Sequence, residues 1–292
     1  MNGSGAGTDG TEARRSEVFA PGVLEGRVAL VTGGGTGLGK ASALELARCG
    51  AAVTIAGRRG EVLEQAAAEI AELLGDGTVD WVVGDVRERE HARRLVEAVL
   101  ERRGRLDVLV NNAGGQFFSP AELIAAKGWR AVWRLNVEGM LNMSEAAFEL
   151  ALERAGGGMI VNVTLSPHNG MPGMAHSGSA RATVEALTRE LAQRWQRAGV
   201  TVSAVAAGHF DTEVLSKYPA SVRAGASRTV PLQRLGTVAE HAWLVALLAS
   251  PLGRAFGGST ITLDGARDNW CGPWPPPGLA DESGEVPTEE RR

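Results

Sequence analysis

Short apolar runs alternate with longer stretches of helical spacing along most of the chain. Residues 27–32 (RVALVT) form a short aliphatic run, and residues 38–49 repeat apolar side chains every three or four positions. The pattern continues with a strand at 52–56, a helix at 61–74, a strand at 79–83, a helix at 87–103 and a strand at 106–110. A long helical stretch from 128 to about 154 follows. Then come a strand at 159–164, a helix at 177–198, a strand at 200–205, a helix at 237–248 and a strand at 259–263. Apolar strands alternating with helices predict right-handed βαβ units, whose strands run parallel and are covered on both faces. The predicted fold is therefore α/β, a single doubly wound parallel sheet with helices on both faces. Its ligand crevice is expected at the carboxyl ends of the strands.

The two ends break this rhythm. Residues 1–22 are rich in Gly, Ser, Thr and charge and are predicted to form a disordered arm. Residues 272–292 contain Pro273-Trp274-Pro275-Pro276-Pro277 and an acidic, mixed-charge end; they are predicted to be a loosely packed tail, with a polyproline partner segment as the alternative. One folded domain over 23–271 remains. A net charge of −4 gives no basic surface for nucleic acid or anionic lipid. No apolar run approaches the roughly 20 residues that span a bilayer. Residues 1–16 lack the apolar centre of a signal peptide. Two cysteines, Cys49 and Cys271, make no disulfide framework. A cytoplasmic protein with reduced thiols, no metal and no membrane or nucleic-acid partner is expected.

The chemistry begins between the first strand and the first helix, where the chain reads Thr32-Gly33-Gly34-Gly35-Thr36-Gly37-Leu38-Gly39. Glycines there let backbone and helix N-terminus approach a pyrophosphate. Further along come Asp85-Val86, Asn111-Asn112-Ala113-Gly114, Asn136, Ala207-Gly208-His209-Phe210-Asp211-Thr212 and Leu263-Asp264-Gly265. In this order and spacing the motifs resemble the short-chain dehydrogenase/reductase family over roughly residues 24–267, which implies a Rossmann fold. The resemblance places Gly33, Thr36, Gly37, Leu38 and Gly39 at the pyrophosphate, Asp85 and Val86 at the adenine, and Asn112, Ala113 and Gly114 along the cofactor. Gly208 and Thr212 fall at the nicotinamide end, with Ala207 where the family has Pro. Gly57 stands where the family places an acidic residue to hold a ribose hydroxyl. Arg58 and Arg59 follow it, suited to a 2′-phosphate, so NADPH is the expected cofactor.

The catalytic helix departs from the family. It reads His176-Ser177-Gly178-Ser179-Ala180-Arg181, with Ser177 at the usual Tyr and Arg181 at the usual Lys. Tyr begins near 10 and is tunable, whereas a Ser hydroxyl begins far higher, and Arg cannot give up its proton. Carbonyl–alcohol exchange, which needs an acid/base near the working pH, is disfavoured. Reduction of a C=C bond conjugated to a thioester needs hydrogen-bond donors for an oxyanion instead. The segments Gly114-Gly115-Gln116-Phe117-Phe118-Ser119-Pro120 and His176–Arg181 resemble the peroxisomal trans-2-enoyl-CoA reductases and the related 2,4-dienoyl-CoA reductases. The resemblance implies an NADPH-dependent enoyl-CoA (or carrier-bound enoyl) reductase, a homodimer or homotetramer. Ser177 and Thr164 are the expected oxyanion donors, Thr164 being preferred to Ser166 for the family's Ser. Arg181 is expected to hold the nicotinamide ribose, and Asn136 a water or the catalytic base. Gln116, Phe117, Ser166, Met171, Met174, His176, Phe210 and Tyr218 are the expected substrate pocket, Tyr218 and His168 being further polar groups near it. Two alternatives stay open: a carbonyl or terpenoid alcohol dehydrogenase with His176 or Tyr218 as substitute acid, and a catalytically silent NADP(H)-binding sensor.

Overall fold

The computed structural model describes residues 14–75, 77–166, 168, 173–213, 215 and 230–269. Seven parallel strands form one sheet: β1 (Val28–Thr32), β2 (Ala52–Gly57), β3 (Val79–Val83), β4 (Val108–Asn111), β5 (Gly158–Leu165), β6 (Val200–Ala207) and β7 (Thr260–Leu263). Their order is β3-β2-β1-β4-β5-β6-β7, so the chain builds outward from β1 in one direction and then in the other. Val31 pairs with Ile55 on one side and Val110 on the other. The strand order reverses between β1 and β4, which opens a crevice at the carboxyl edge of such a sheet.

Period-two alternation divides the strand side chains between two cores. Ala29 and Val31 of β1 face α1 (Gly37–Arg48), α2 (Gly60–Leu74) and α7 (Val238–Ala249), where Leu46, Leu63, Ile70, Val245 and Leu248 are buried. Val28 and Leu30 face the opposite layer, built from α3 (Arg89–Arg103), α5 (Gly139–Ala147) and α6 (Ala175–Trp195). Leu95, Val99, Met143, Leu191 and Trp195 fill that side. Burial of the strands on both faces is what their unbroken apolar runs require. Helix α7 begins with a reciprocal cap between Thr237 and Glu240. Arg234 also pairs with Glu240 and, as the largest influence, lowers its carboxyl to about 2.

The stretch read as one long helix is divided. Helix α4 (Ala126–Trp133) passes through a π turn, Arg134–Glu138, into α5, and a second π turn, Phe148–Leu152, follows. A π turn inserts a residue without breaking the apolar face, so hydrophobic spacing gives no sign of it. Residues 14–22, expected to belong to a disordered arm, lie on the body. The Ser16 hydroxyl donates to Glu45 and accepts the Phe19 N–H at 3.0 Å, and Phe19 packs against the core. The remainder of the arm, the tail at 272–292 and Cys271 lie outside the described residues. Cys49 is free and buried, and burial, with Glu45 beside it, pushes its thiol up to about 12, which leaves it unreactive. Among the described residues no helix is long and apolar enough to cross a membrane.

Candidate active site

A cleft of about 940 Å³ runs along the carboxyl ends of the strands. Its first wall is the glycine-rich turn between β1 and α1. Gly33 has φ +65°, and a Cβ on Gly39 would lie 2.3 Å from the Gly33 carbonyl oxygen, so only glycine permits this tight approach. The turn is tied to the segment after β4. The Thr32 hydroxyl donates to the Val110 carbonyl at 3.2 Å and accepts the N–H groups of Asn112 and Ala113 at 3.1 and 3.0 Å. Asn112 Nδ2 donates back to the carbonyls of Thr32 and Gly33 at 3.0 and 3.2 Å. Thr32, which the motif reading passed over, is the hub of this junction.

All of the residues expected at the cofactor line the cleft: Gly33, Thr36, Gly37, Leu38, Gly39, Arg58, Arg59, Asp85, Val86, Asn112, Ala113, Gly114, Arg181, Gly208 and Thr212. Neither the Arg58 nor the Arg59 guanidinium is engaged in a hydrogen bond or ion pair among the described residues. They stand at the end of β2 as cations facing the cleft. Asp85 instead accepts from Arg87 Nε at 2.9 and 3.0 Å, and that hydrogen bond holds its carboxyl below the usual range.

At the other end, Arg181 on α6 sends Nη1 to the Val163 carbonyl at 2.6 Å. A Cβ on Gly114 would fall 2.3 Å from Arg181 Nη2 and 2.8 Å from Asn136 Oδ1. Gly114 is therefore the residue whose missing side chain admits the guanidinium. Asn136, 2% exposed in the first π turn, accepts the Gly115 N–H at 3.2 Å. Its Nδ2 donates to the carbonyls of Gly115 and Val132 at 2.9 and 2.7 Å. Its amide clamps the segment after β4 to the π turn.

The expected donors part company. Thr164 lines the cleft, but its hydroxyl is directed to the Arg181 carbonyl and to Glu185 Oε1, each at 3.2 Å. The Ser166 hydroxyl donates to Asp264 and does not line the cleft. Ser177 is fully buried and its Oγ makes no hydrogen bond among the described residues. It lies on α6 one turn before the cleft-lining Arg181, but Ser177 itself does not line the cleft. Gln116, Phe117, Met174 and Phe210 line the cleft as expected for a substrate pocket. His176 does not. Its ring is buried against Phe117 at 4.3 Å between centroids, both nitrogens lack partners among the described residues, and desolvation lowers its pKa. Met171 and Tyr218 lie outside the described residues. Sequence reasoning missed Glu185, a carboxylate on the buried side of α6, four residues after Arg181. A charge recurring at helical spacing with the catalytic positions was the available signal. Among the described residues no group of His, Cys, Asp or Glu is placed to hold a metal.

Sheet order, glycine-rich turn and the cleft between them define a dinucleotide-dependent oxidoreductase, and the chain belongs to the short-chain dehydrogenase family, whose pattern it matches over residues 27–222. It is similar to a probable 2,4-dienoyl-CoA reductase ((2E)-enoyl-CoA-producing) of Bacillus subtilis, 36% identical over 86% of this chain and 100% of the relative. A peroxisomal 2,4-dienoyl-CoA reductase of Danio rerio is 34% identical over 88% of this chain and 87% of its own. Among solved structures, a citronellol catabolism dehydrogenase of Pseudomonas aeruginosa superimposes with a TM-score of 0.77 at 41% identity, over 86% of this chain and 98% of that one.

Proposed function

We propose that this protein reduces the 2,3 double bond of an enoyl-CoA, or carrier-bound enoyl, thioester with NADPH. The observation that carries the reading is the Ser177 hydroxyl: buried and, among the described residues, without a partner, at the position of the family's acid. Leaving a buried hydroxyl unpaired costs about 1–3 kcal/mol, which an acceptor on the substrate recovers when it docks. A donor of high pKa suits an oxyanion that needs a hydrogen bond and not a full proton. The bacterial and fish relatives, named as dienoyl-CoA reductases, support a conjugated acyl-CoA as the substrate class.

The residues present fit the cofactor. Gly33 and Gly39 let the turn close tightly at the N-terminus of α1, where a pyrophosphate would meet unpaired N–H groups, and the cleft-facing guanidinium groups of Arg58 and Arg59 favour a 2′-phosphate. Bound there, a reduced nicotinamide supplies the hydride. Arg181, set into the space beside Gly114, orients the ribose and adds positive potential where the thioester oxygen gains charge. Met174, Phe117 and Phe210 form the apolar side of the pocket and exclude water from it. A homodimer or homotetramer in the cytoplasm completes the reading, to be checked by light scattering and fractionation.

Similarity to the citronellol catabolism dehydrogenase favours a second reading, oxidation or reduction of a terpenoid alcohol or carbonyl. His176, neutral and packed against Phe117, is a poor acid for it. The test is NADPH consumption with crotonyl-CoA and longer 2-enoyl-CoAs beside matching ketones and NADH controls. Turnover of the thioesters alone is the expected result. Turnover of ketones alone would put the second reading first, and NADPH binding without any turnover would leave a sensor.

A further inference from the structure

A site without a Tyr still needs a proton for the carbon that does not receive the hydride. From the cleft outward, a continuous polar chain connects to solvent. Thr164, at the cleft end of β5, lies 3.2 Å from Glu185 Oε1, and the same oxygen lies 2.8 Å from His168 Nε2. On its other side the His168 ring is paired with Asp268, whose second oxygen takes the His168 N–H at 2.6 Å. The side chains of Glu185 and Asp268 are 11% and 15% exposed, whereas that of His168 is 35% exposed and meets water. These residues come from β5, the turn after it, α6 and the segment after β7, so only the folded chain assembles them.

We propose that His168, Glu185 and Thr164 form a proton relay that carries a proton from solvent to the substrate carbon in the cleft, replacing the missing Tyr. This rests on the enoyl reduction proposed above. Hydride addition at the β-carbon leaves an electron pair shared by the α-carbon and the thioester oxygen. That pair takes the proton of the Thr164 hydroxyl; Thr164 takes one from Glu185, Glu185 takes one from His168 Nε2, and water recharges the imidazole. Both inner hydrogen bonds end on Oε1, so the proton taken from His168 stays on one oxygen and its O–H swings about the C–O bond to face Thr164. The Thr164 hydroxyl, a rotor, changes from donor to acceptor toward Glu185.

Electrostatics agree with this direction. Burial opposes a charge on His168, but the hydrogen bond to Asp268 and the charge of Glu185 outweigh it and raise its pKa. The charged groups around the ring are Glu185 from α6, Asp268 after β7, and Asp264, which holds the Asp268 N–H at 2.8 Å. The Arg181 guanidinium is directed away, to the Val163 carbonyl, and Arg267 lies on the His209 ring. The ring therefore holds its proton to higher pH than an ordinary imidazole does and is an empty donor above its raised pKa.

The experiment measures kcat against pH at saturating NADPH and crotonyl-CoA for the wild type, His168→Gln and Glu185→Gln, with melting curves as a folding control. Ring titration of His168 is followed by NMR in the same proteins. The expected result is an alkaline limb in the wild type and a fall in kcat of about 10²-fold in both variants, the scale of general acid catalysis. The limb disappears in His168→Gln, added imidazole restores part of the rate in His168→Ala, and the His168 titration moves down in Glu185→Gln. Variants within about twofold of wild type that keep the same limb would overturn the relay and leave enoyl reduction standing. A wild type inert toward enoyl thioesters overturns the function instead. An unmoved His168 titration in Glu185→Gln would then show that the central bond is not made and remove the relay as well.

Discussion

Ser177 carries a hydroxyl without a partner among the described residues, so its removal separates stability from chemistry. Ser177→Ala leaves a buried site with one polar atom fewer; unfolding in urea should show stability unchanged or raised by about 1 kcal/mol. Reduction of crotonyl-CoA by the same variant should fall about 10²-fold, the loss that follows removal of an oxyanion donor. A variant that loses stability and keeps activity would make Ser177 a packing residue. Arg58 and Arg59 allow a similar separation. Hydrogen bonds to charged groups contribute about 1.5–3 kcal/mol, so Arg58→Ala with Arg59→Ala should raise KM for NADPH about 10- to 100-fold while KM for NADH changes little. Equal effects on both cofactors would take the 2′-phosphate out of the site.

Among the elements, the π turn Arg134–Glu138 has the most local consequence for the cleft. It turns Asn136 inward, where one amide makes three hydrogen bonds to backbone at Gly115 and Val132. Gly115 precedes Gln116 and Phe117, so the turn fixes where the substrate wall begins. Asn136→Ala should cost about 2–3 kcal/mol in urea unfolding, because buried carbonyls lose their donors, and should raise KM for the thioester more than KM for NADPH. The existence and type of the elements were readable from apolar spacing, since a parallel strand buried on both faces and an amphipathic helix leave different periods in the chain. The π turns were not, because an inserted residue changes hydrogen bonding and leaves the apolar face in place. Nor was the placement of residues 14–22, whose composition is polar but whose Ser16 and Phe19 find partners on α1 and the core.

At the scale of the molecule, pH acts through histidines held in the fold. His241 of α7 is fully buried behind Phe210, with ring centroids 5.6 Å apart, and desolvation pushes its pKa down to about 4 from an ordinary 6.5. A lowered folded pKa means that its stability contribution is complete above about pH 6.5 and is lost as pH falls toward 4, because the unfolded chain binds the proton first. The loss amounts to about 3 kcal/mol. Denaturant unfolding at pH 7 and pH 4.5 measures it, and His241→Leu should flatten the difference. His168 acts with the opposite sign: its raised pKa makes its pairing strongest in acid and weaker as pH rises through that value.

By itself the sequence determined the α/β alternation, the cofactor motifs and the replacement of Tyr and Lys by Ser177 and Arg181, because each is written in neighbouring residues or fixed spacings. Only the tertiary structure decided which hydroxyls are spoken for. Thr164, Ser166 and Ser177 read alike in a chain, yet one meets Glu185, one meets Asp264 and one meets no partner among the described residues. Those partners stand 21 and 98 residues away. A side chain's hydrogen bonds depend on what the sheet brings beside it, and that is fixed by strand order and helix packing rather than by local sequence.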